Sequence, residues 1–196
     1  MCGIFAVFGY NETHTRDTLL KCSKTLRHRG PDWNGIYINE ETKVCVCHER
    51  LSIVGVNKGA QPIYDCPYNK NYVLTVNGEI YNHLGIREIV LQDRYDFTTD
   101  SDCEVILHLY REYGNKFLNM LDGVFSFALY DATENNFIVA RDPIGVNPLY
   151  YAIDNEQGIC VASEIKAIRQ WSSDVEIKIF PPGHFMTRNL EPQRYY

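Results

Sequence analysis

The sequence predicts an α+β domain in which a few helices pack on antiparallel sheets, and three observations carry that reading. Strand-like runs follow one another without regular helical alternation, which disfavours a βαβ architecture. The run at residues 124–131 is apolar on both faces. Phe125, Phe127 and Leu129 point one way while Val124, Ser126, Ala128 and Tyr130 point the other, so the strand is covered on both sides. Helices are few, and two of them are well marked.

Taken in order, strands are predicted at residues 3–9, 44–48, 72–76, 124–131, 136–141, 149–153, 158–162 and 176–180. Each is short, rich in Val, Ile, Phe or Tyr, and closed by Gly, Asn, Asp or Pro. A first helix covers 15–26, with Leu19, Leu20 and Leu26 on its apolar side. A second starts at Ser101, where Ser-Asp-Cys-Glu has the form of a capping box, and continues through Val105, Ile106, Leu109, Tyr110 and Tyr113. A third, 82–92, carries an unfavourable Gly85. Asn77-Gly78-Glu79 follows the strand 72–76 and reads as a turn.

With 196 residues and no linker, repeat or low-complexity tract, residues 1–196 are expected to form one domain. Lys and Arg number 19 against 25 Asp and Glu, a net charge of -6 without blocks, which argues against a nucleic-acid surface. No apolar run approaches the roughly 20 residues of a membrane span, and the apolar start at 1–8 lacks a basic n-region. Seven cysteines fit no closed disulfide set, and the expected compartment is the reducing cytoplasm. Cys45, Cys47, His48, Cys66 and Cys103 show no Cys-x-x-Cys zinc spacing, so no metal site is expected.

Cys2 directly follows Met1, and its small side chain suits removal of the initiator methionine. A terminal cysteine carries a thiol of pKa about 8.5 beside an amine of about 7.7–8.0. Moving the proton between them costs about 1 kcal/mol, so a thiolate forms without a histidine. A water is expected to relay the proton, because both groups share one carbon. A buried strand-starting cysteine is the plainer alternative. A Cys–His pair using His28 or His48 is unnecessary once the amine is available. The Asn77 amide and the Gly78 N–H could converge on a developing oxyanion. Arg50 could grip a carboxylate bidentately, and Asp102, in the first turn after Ser101, could bind an ammonium.

Six segments then occur in one order: Met1-Cys2-Gly3-Ile4, Arg27-His28-Arg29-Gly30-Pro31-Asp32, Arg50-Leu51-Ser52-Ile53-Val54, Val76-Asn77-Gly78-Glu79-Ile80-Tyr81-Asn82, Ser101-Asp102 and Arg141-Asp142-Pro143-Ile144-Gly145. Together they resemble the N-terminal glutaminase domain of the class II glutamine amidotransferases, specifically that of glutamine-hydrolysing asparagine synthetase. The resemblance implies a four-layer αββα sandwich of the N-terminal nucleophile hydrolase type. It implies that Cys2 attacks L-glutamine to give a γ-glutamyl thioester, with Asn77 and Gly78 as the oxyanion hole. Arg50 would bind the α-carboxylate and Asp102 the α-ammonium, while Leu51, Ser52, Ile53, Val54 and Glu79 line the pocket. Asn34 stands where the family commonly has serine and Asn147 where it has lysine or arginine. Both are expected to lie outside the catalytic set and to bear on domain docking.

The resemblance assigns this domain no cofactor of its own. ATP and Mg belong to a synthetase domain, whose pyrophosphate loop is not in these residues. That domain, on the same or a separate chain, is the expected partner and ammonia acceptor, meeting an apolar face rich in tyrosine. A homodimer is left open. A glutaminase serving another acceptor, a non-catalytic binding module and a thiol-redox or metal protein are the competing readings.

Overall fold

The computed structural model describes residues 1–52, 58–66, 70–92 and 94–196. Two six-stranded sheets, antiparallel at every ladder, form the framework of the fold. The first has the order β10-β8-β9-β1-β3-β2, formed by β1 (Gly3–Phe8), β2 (Trp33–Asn39), β3 (Val44–Arg50), β8 (Tyr150–Ile153), β9 (Ile159–Ala162) and β10 (Lys178–Ile179). The second runs β12-β11-β7-β6-β5-β4, formed by β4 (Ile63–Tyr64), β5 (Tyr72–Ile80), β6 (Gly123–Asp131), β7 (Asn136–Arg141), β11 (His184–Met186) and β12 (Gln193–Arg194).

Side-chain alternation turns these sheets into four layers. Ile4, Ala6 and Phe8 of β1 face Ala128 and Tyr130 of β6 and Phe137 and Val139 of β7 in a core between the sheets. The alternate residues Phe5 and Val7 meet Leu19 and Cys22 of α1 (Arg16–Lys24), together with Ile168 and Trp171 of α4 (Ile165–Trp171). On the other flank, Phe125, Phe127 and Leu129 pack against α3 (Val105–Tyr113) through Val105, Ile106 and Leu109. Helix, sheet, sheet and helix are therefore stacked, as the two-sided apolar pattern of β6 requires.

Local chemistry sets the helix ends. Thr15 caps α1 in a reciprocal box with Thr18: Thr18 N–H donates to Thr15 Oγ1 at 3.3 Å, and Thr15 N–H to Thr18 Oγ1 at 2.8 Å. Ser101 caps a 3-10 turn, Asp102–Glu104, that leads into α3, its Oγ accepting from Cys103 N–H at 3.2 Å. The expected box there does not close. Glu104 instead accepts from the Thr98 and Thr99 N–H groups at 2.6 and 2.7 Å, because those donors precede the helix and need a partner. Residues 83–90 are helical, as α2 (His83–Gly85) running into a π-turn, Ile86–Val90.

One further expectation is corrected. Asn77-Gly78-Glu79 is not a turn, since β5 continues to Ile80 and pairs with β6 down to Ile80 opposite Gly123. Among the described residues the exposed large apolar side chains include Tyr81, Tyr113 and Tyr196 beside aliphatic ones such as Ile144 and Val146. Among the described residues, no helix is long and apolar enough to cross a membrane.

Candidate active site

One pocket is lined by Cys2, Arg50, Leu51, Asn77, Gly78, Glu79 and Asp102, which brings together most of the residues singled out in the sequence. Cys2 stands at the head of the inner strand β1, and Arg50 ends the neighbouring β3. Ser52 is not in that wall, and its N–H donates to Asp32 Oδ2 at 2.8 Å. Ile53 and Val54 lie outside the described residues.

The free edge of β5 explains how the site is assembled. Phe125 exchanges its N–H and C=O with Asp142, donating to Oδ2 at 3.2 Å and accepting from Asp142 N–H at 2.8 Å. Gly78, opposite Phe125, is therefore in a pair without ladder hydrogen bonds and turns its N–H and C=O away from β6. Val76 and Ile80 face the same open edge, where side chains substitute for a missing strand. Gln61 Oε1 accepts from Val76 N–H at 2.8 Å while its Nε2 donates to Val76 O at 3.1 Å. Asp102 Oδ2 accepts from Ile80 N–H at 2.6 Å, and the Cys103 thiol reaches Gly78 O at 3.6 Å. Between two covered donors, the Gly78 N–H is directed to the pocket. Glycine is required at that position, since a Cβ would fall 2.3 Å from Val124 O.

Asn77 supplies a second donor. Its Oδ1 accepts from the Cys2 nitrogen at 2.8 Å, which leaves Nδ2 buried without a partner in the pocket wall. An unpaired buried amide N–H costs about 1–3 kcal/mol. Such a donor beside a thiol suits a negative charge that exists only during reaction.

The thiol itself is held between Leu51 N–H, which donates to Sγ at 3.4 Å, and Leu51 O at 3.6 Å. Burial pushes its pKa up, partly offset by the Leu51 N–H, the chain terminus, Arg50 and Arg29. The resting group is thus a thiol that needs a base. Neither His28 nor His48 lines the pocket. His48 is wholly buried, bonds Thr75 Oγ1 at 3.0 Å and is pushed down to about 3 by burial and by Arg50. His28 lies against Glu164 at 2.9 Å. Among the described residues no group of three or more His, Cys, Asp or Glu could hold a metal ion.

Several supports were not legible in the sequence as site residues. Arg29 Nε donates to Cys2 O at 2.9 Å. Gln61 joins residues fifteen positions apart, and no local pattern announces it. Asn147, which the sequence reading placed outside the catalytic set, is buried, lines the pocket and donates from Nδ2 to Asn77 O at 2.9 Å. Asn34, in contrast, is exposed on the edge strand β2.

Two sheets stacked between helical layers, with a thiol at the head of an inner strand, define the class of N-terminal nucleophile hydrolases. The chain belongs to the family described as the glutamine amidotransferase domain, whose model matches residues 1–195. It is 46% identical over its whole length to a probable glutamine-hydrolysing asparagine synthetase of Dictyostelium discoideum and to asparagine synthetase B of Escherichia coli (strain K12). Identity to a probable asparagine synthetase of Schizosaccharomyces pombe is 50%. The chain spans 35% of the length of each of these three relatives. Its fold is that of an allosteric regulatory enzyme of purine biosynthesis (TM-score 0.77, 24% identity, covering 95% of this chain and 46% of that one). A glutamine phosphoribosylpyrophosphate amidotransferase from B. subtilis shares it too, with TM-score 0.76, 23% identity and coverage of 95% and 47%.

Proposed function

We propose that this domain hydrolyses L-glutamine to L-glutamate and ammonia through a thioester on Cys2. The observation that carries the proposal is the Asn77 amide, with Oδ1 on the Cys2 nitrogen and an unpartnered Nδ2 in the pocket wall. Removal of Met1 converts that nitrogen into an amine, the base that the buried thiol lacks. The thiol proton passes to the amine through a water as sulfur adds to the glutamine Cδ. The negative oxygen is received by Asn77 Nδ2 and Gly78 N–H. The amine then delivers the proton to the leaving nitrogen, the C–N bond breaks, and ammonia departs from a γ-glutamyl thioester. Water adds to the thioester by the same route and releases glutamate.

Arg50 takes the α-carboxylate and Asp102 the α-ammonium in this reading, while Leu51 and Glu79 line the pocket. The thiol, amine and amide donors carry every proton and bond change, so no cofactor is assigned to the domain. The ammonia serves asparagine synthesis, the activity in the names of the relatives; its acceptor in this reading is aspartate activated by ATP on a synthetase domain, and the setting is cytoplasmic.

The test is glutamate release from glutamine by the purified protein, alongside intact-mass analysis of its N-terminus. Release by protein lacking Met1, abolished in Cys2→Ala, is the expected result. Turnover by protein whose terminus stays blocked or untrimmed overturns the amine mechanism. Absence of turnover in the trimmed domain, alone and with a synthetase domain added, overturns the glutaminase reading.

A further inference from the structure

Asn147 is held to a tight geometry by residues that do not line the pocket. Asp142 Oδ1 accepts from the N–H groups of Ile144 at 3.0 Å and Gly145 at 2.7 Å. Gly145 has φ +72°, a left-handed bend that side chains resist. Arg141 Nε donates to Asn147 O at 2.8 Å, and its Nη2 donates to Gly145 O at 2.8 Å. The loop is therefore tied at both its carboxylate and its guanidinium ends, and its product is one buried amide aimed at Asn77 O.

That carbonyl belongs to the same peptide group as the Gly78 N–H. In a trans peptide the C=O and N–H point in opposite directions, so whatever fixes the oxygen also aims the hydrogen. The register makes Asn77 and Ser126 a hydrogen-bonded pair, which occupies one lone pair of Asn77 O. The Asn147 amide occupies the other and clamps the plane from off the ladder. An accepting carbonyl also polarises its peptide, which makes the opposite N–H a better donor.

We infer that Asn147 is a positioning residue for the backbone half of the oxyanion hole, acting on Gly78 N–H through the Asn77 carbonyl. The inference rests on the glutaminase reading and adds to it a residue whose amide N–H is spent on the Asn77 carbonyl. Acylation and deacylation both pass through an oxyanion, so either as the slow step would feel the loss.

The test compares Asn147→Leu and the isosteric Asn147→Asp with the wild type, since each removes the donor. The expected fall in kcat is about tenfold or more, a fraction of the 10²–10³ lost when an oxyanion donor is deleted outright. KM should stay within about twofold, as the substrate grip is untouched. Alkylation of Cys2 by iodoacetamide, a displacement at a saturated carbon that develops no oxyanion, should keep its rate in both variants. If Leu disturbs folding, seen as a lowered Tm, the Asp variant decides. Unchanged kcat overturns the inference, as does a parallel loss of kcat, substrate grip and alkylation, which marks a purely structural residue. A wild-type protein that alkylates at Cys2 but releases no glutamate fails the glutaminase reading instead and takes the inference down with it.

Discussion

Arg29 donates from Nε to the Cys2 carbonyl at 2.9 Å, and Asn77 receives the Cys2 nitrogen at 2.8 Å. The residue carrying the thiol is thus gripped at both ends of its backbone, by a loop after α1 and by a strand of the opposite sheet. Arg29 is held in turn by Glu164 at 3.1 Å. Its charge is one of the influences pulling the Cys2 thiol down against burial. Arg29→Leu should move the pH midpoint of Cys2 alkylation upward. A pH series with iodoacetamide reads this directly, and an unmoved midpoint would show that Arg29 contributes anchoring alone.

Asn77 carries two roles on one amide, and a single substitution removes both. Asn77→Ala should lower kcat for glutamate release by about 10²–10³. Asn77→Asp keeps the acceptor for Cys2 but supplies no donor at neutral pH, so its loss should be nearly as large. Steady-state kinetics of the two variants separate the roles: an Asp variant close to wild type would place the oxyanion elsewhere.

Arg50 and Asp102 should govern affinity more than rate. Each is buried and lines the pocket. A charge-assisted hydrogen bond is worth about 1.5–3 kcal/mol, so Arg50→Leu should raise KM by roughly 10- to 150-fold. Asp102→Asn should do less, since an amide oxygen can still accept from Ile80 N–H. Parallel KM and kcat measurements check the split.

How much of this was legible in the sequence follows from the range of each interaction. β6 could be read as covered on both sides because alternation is a local property, and Phe125 with Ala128 indeed face different cores. β2 escaped notice because an edge strand carrying Asn34 and Gly35 is half exposed and shows no clean alternation. α4 escaped because Glu164 makes no side-chain cap. The Asn-Gly pair at 77–78 has turn chemistry, yet tertiary pairing with β6 extends it as strand. Cys2, Arg50, Asn77 and Asp102 were marked by residue type and ordered motif. Gln61 and Asn147 act through contacts 15 and 70 residues away, and nothing near them in the chain reports such a partner.

Acid should weaken the fold in two stages. His48 is wholly buried, and burial with the nearby Arg50 lowers its pKa from 6.5 to about 3. The unfolded chain therefore binds this proton first, and stability drains as pH falls from 6.5 toward 3. Glu104 behaves as a depressed carboxyl. Burial pushes it up, but His108 and the bonds from Thr98 and Thr99 outweigh burial and hold it below 4.5. Its contribution is complete above pH 4.5 and is lost as pH drops through the lowered value. Urea unfolding midpoints across pH 3–8 test both. His48→Gln should flatten the upper limb, between pH 6.5 and 4.5, and leave the lower one in place. Glu104→Gln should lower stability at pH 7 by about 1.5–3 kcal/mol and remove the lower limb. It should also raise KM, because the Thr98–Thr99 segment it ties leads directly into Ser101 and Asp102. An upper limb that survives in His48→Gln would assign that limb to some other buried group.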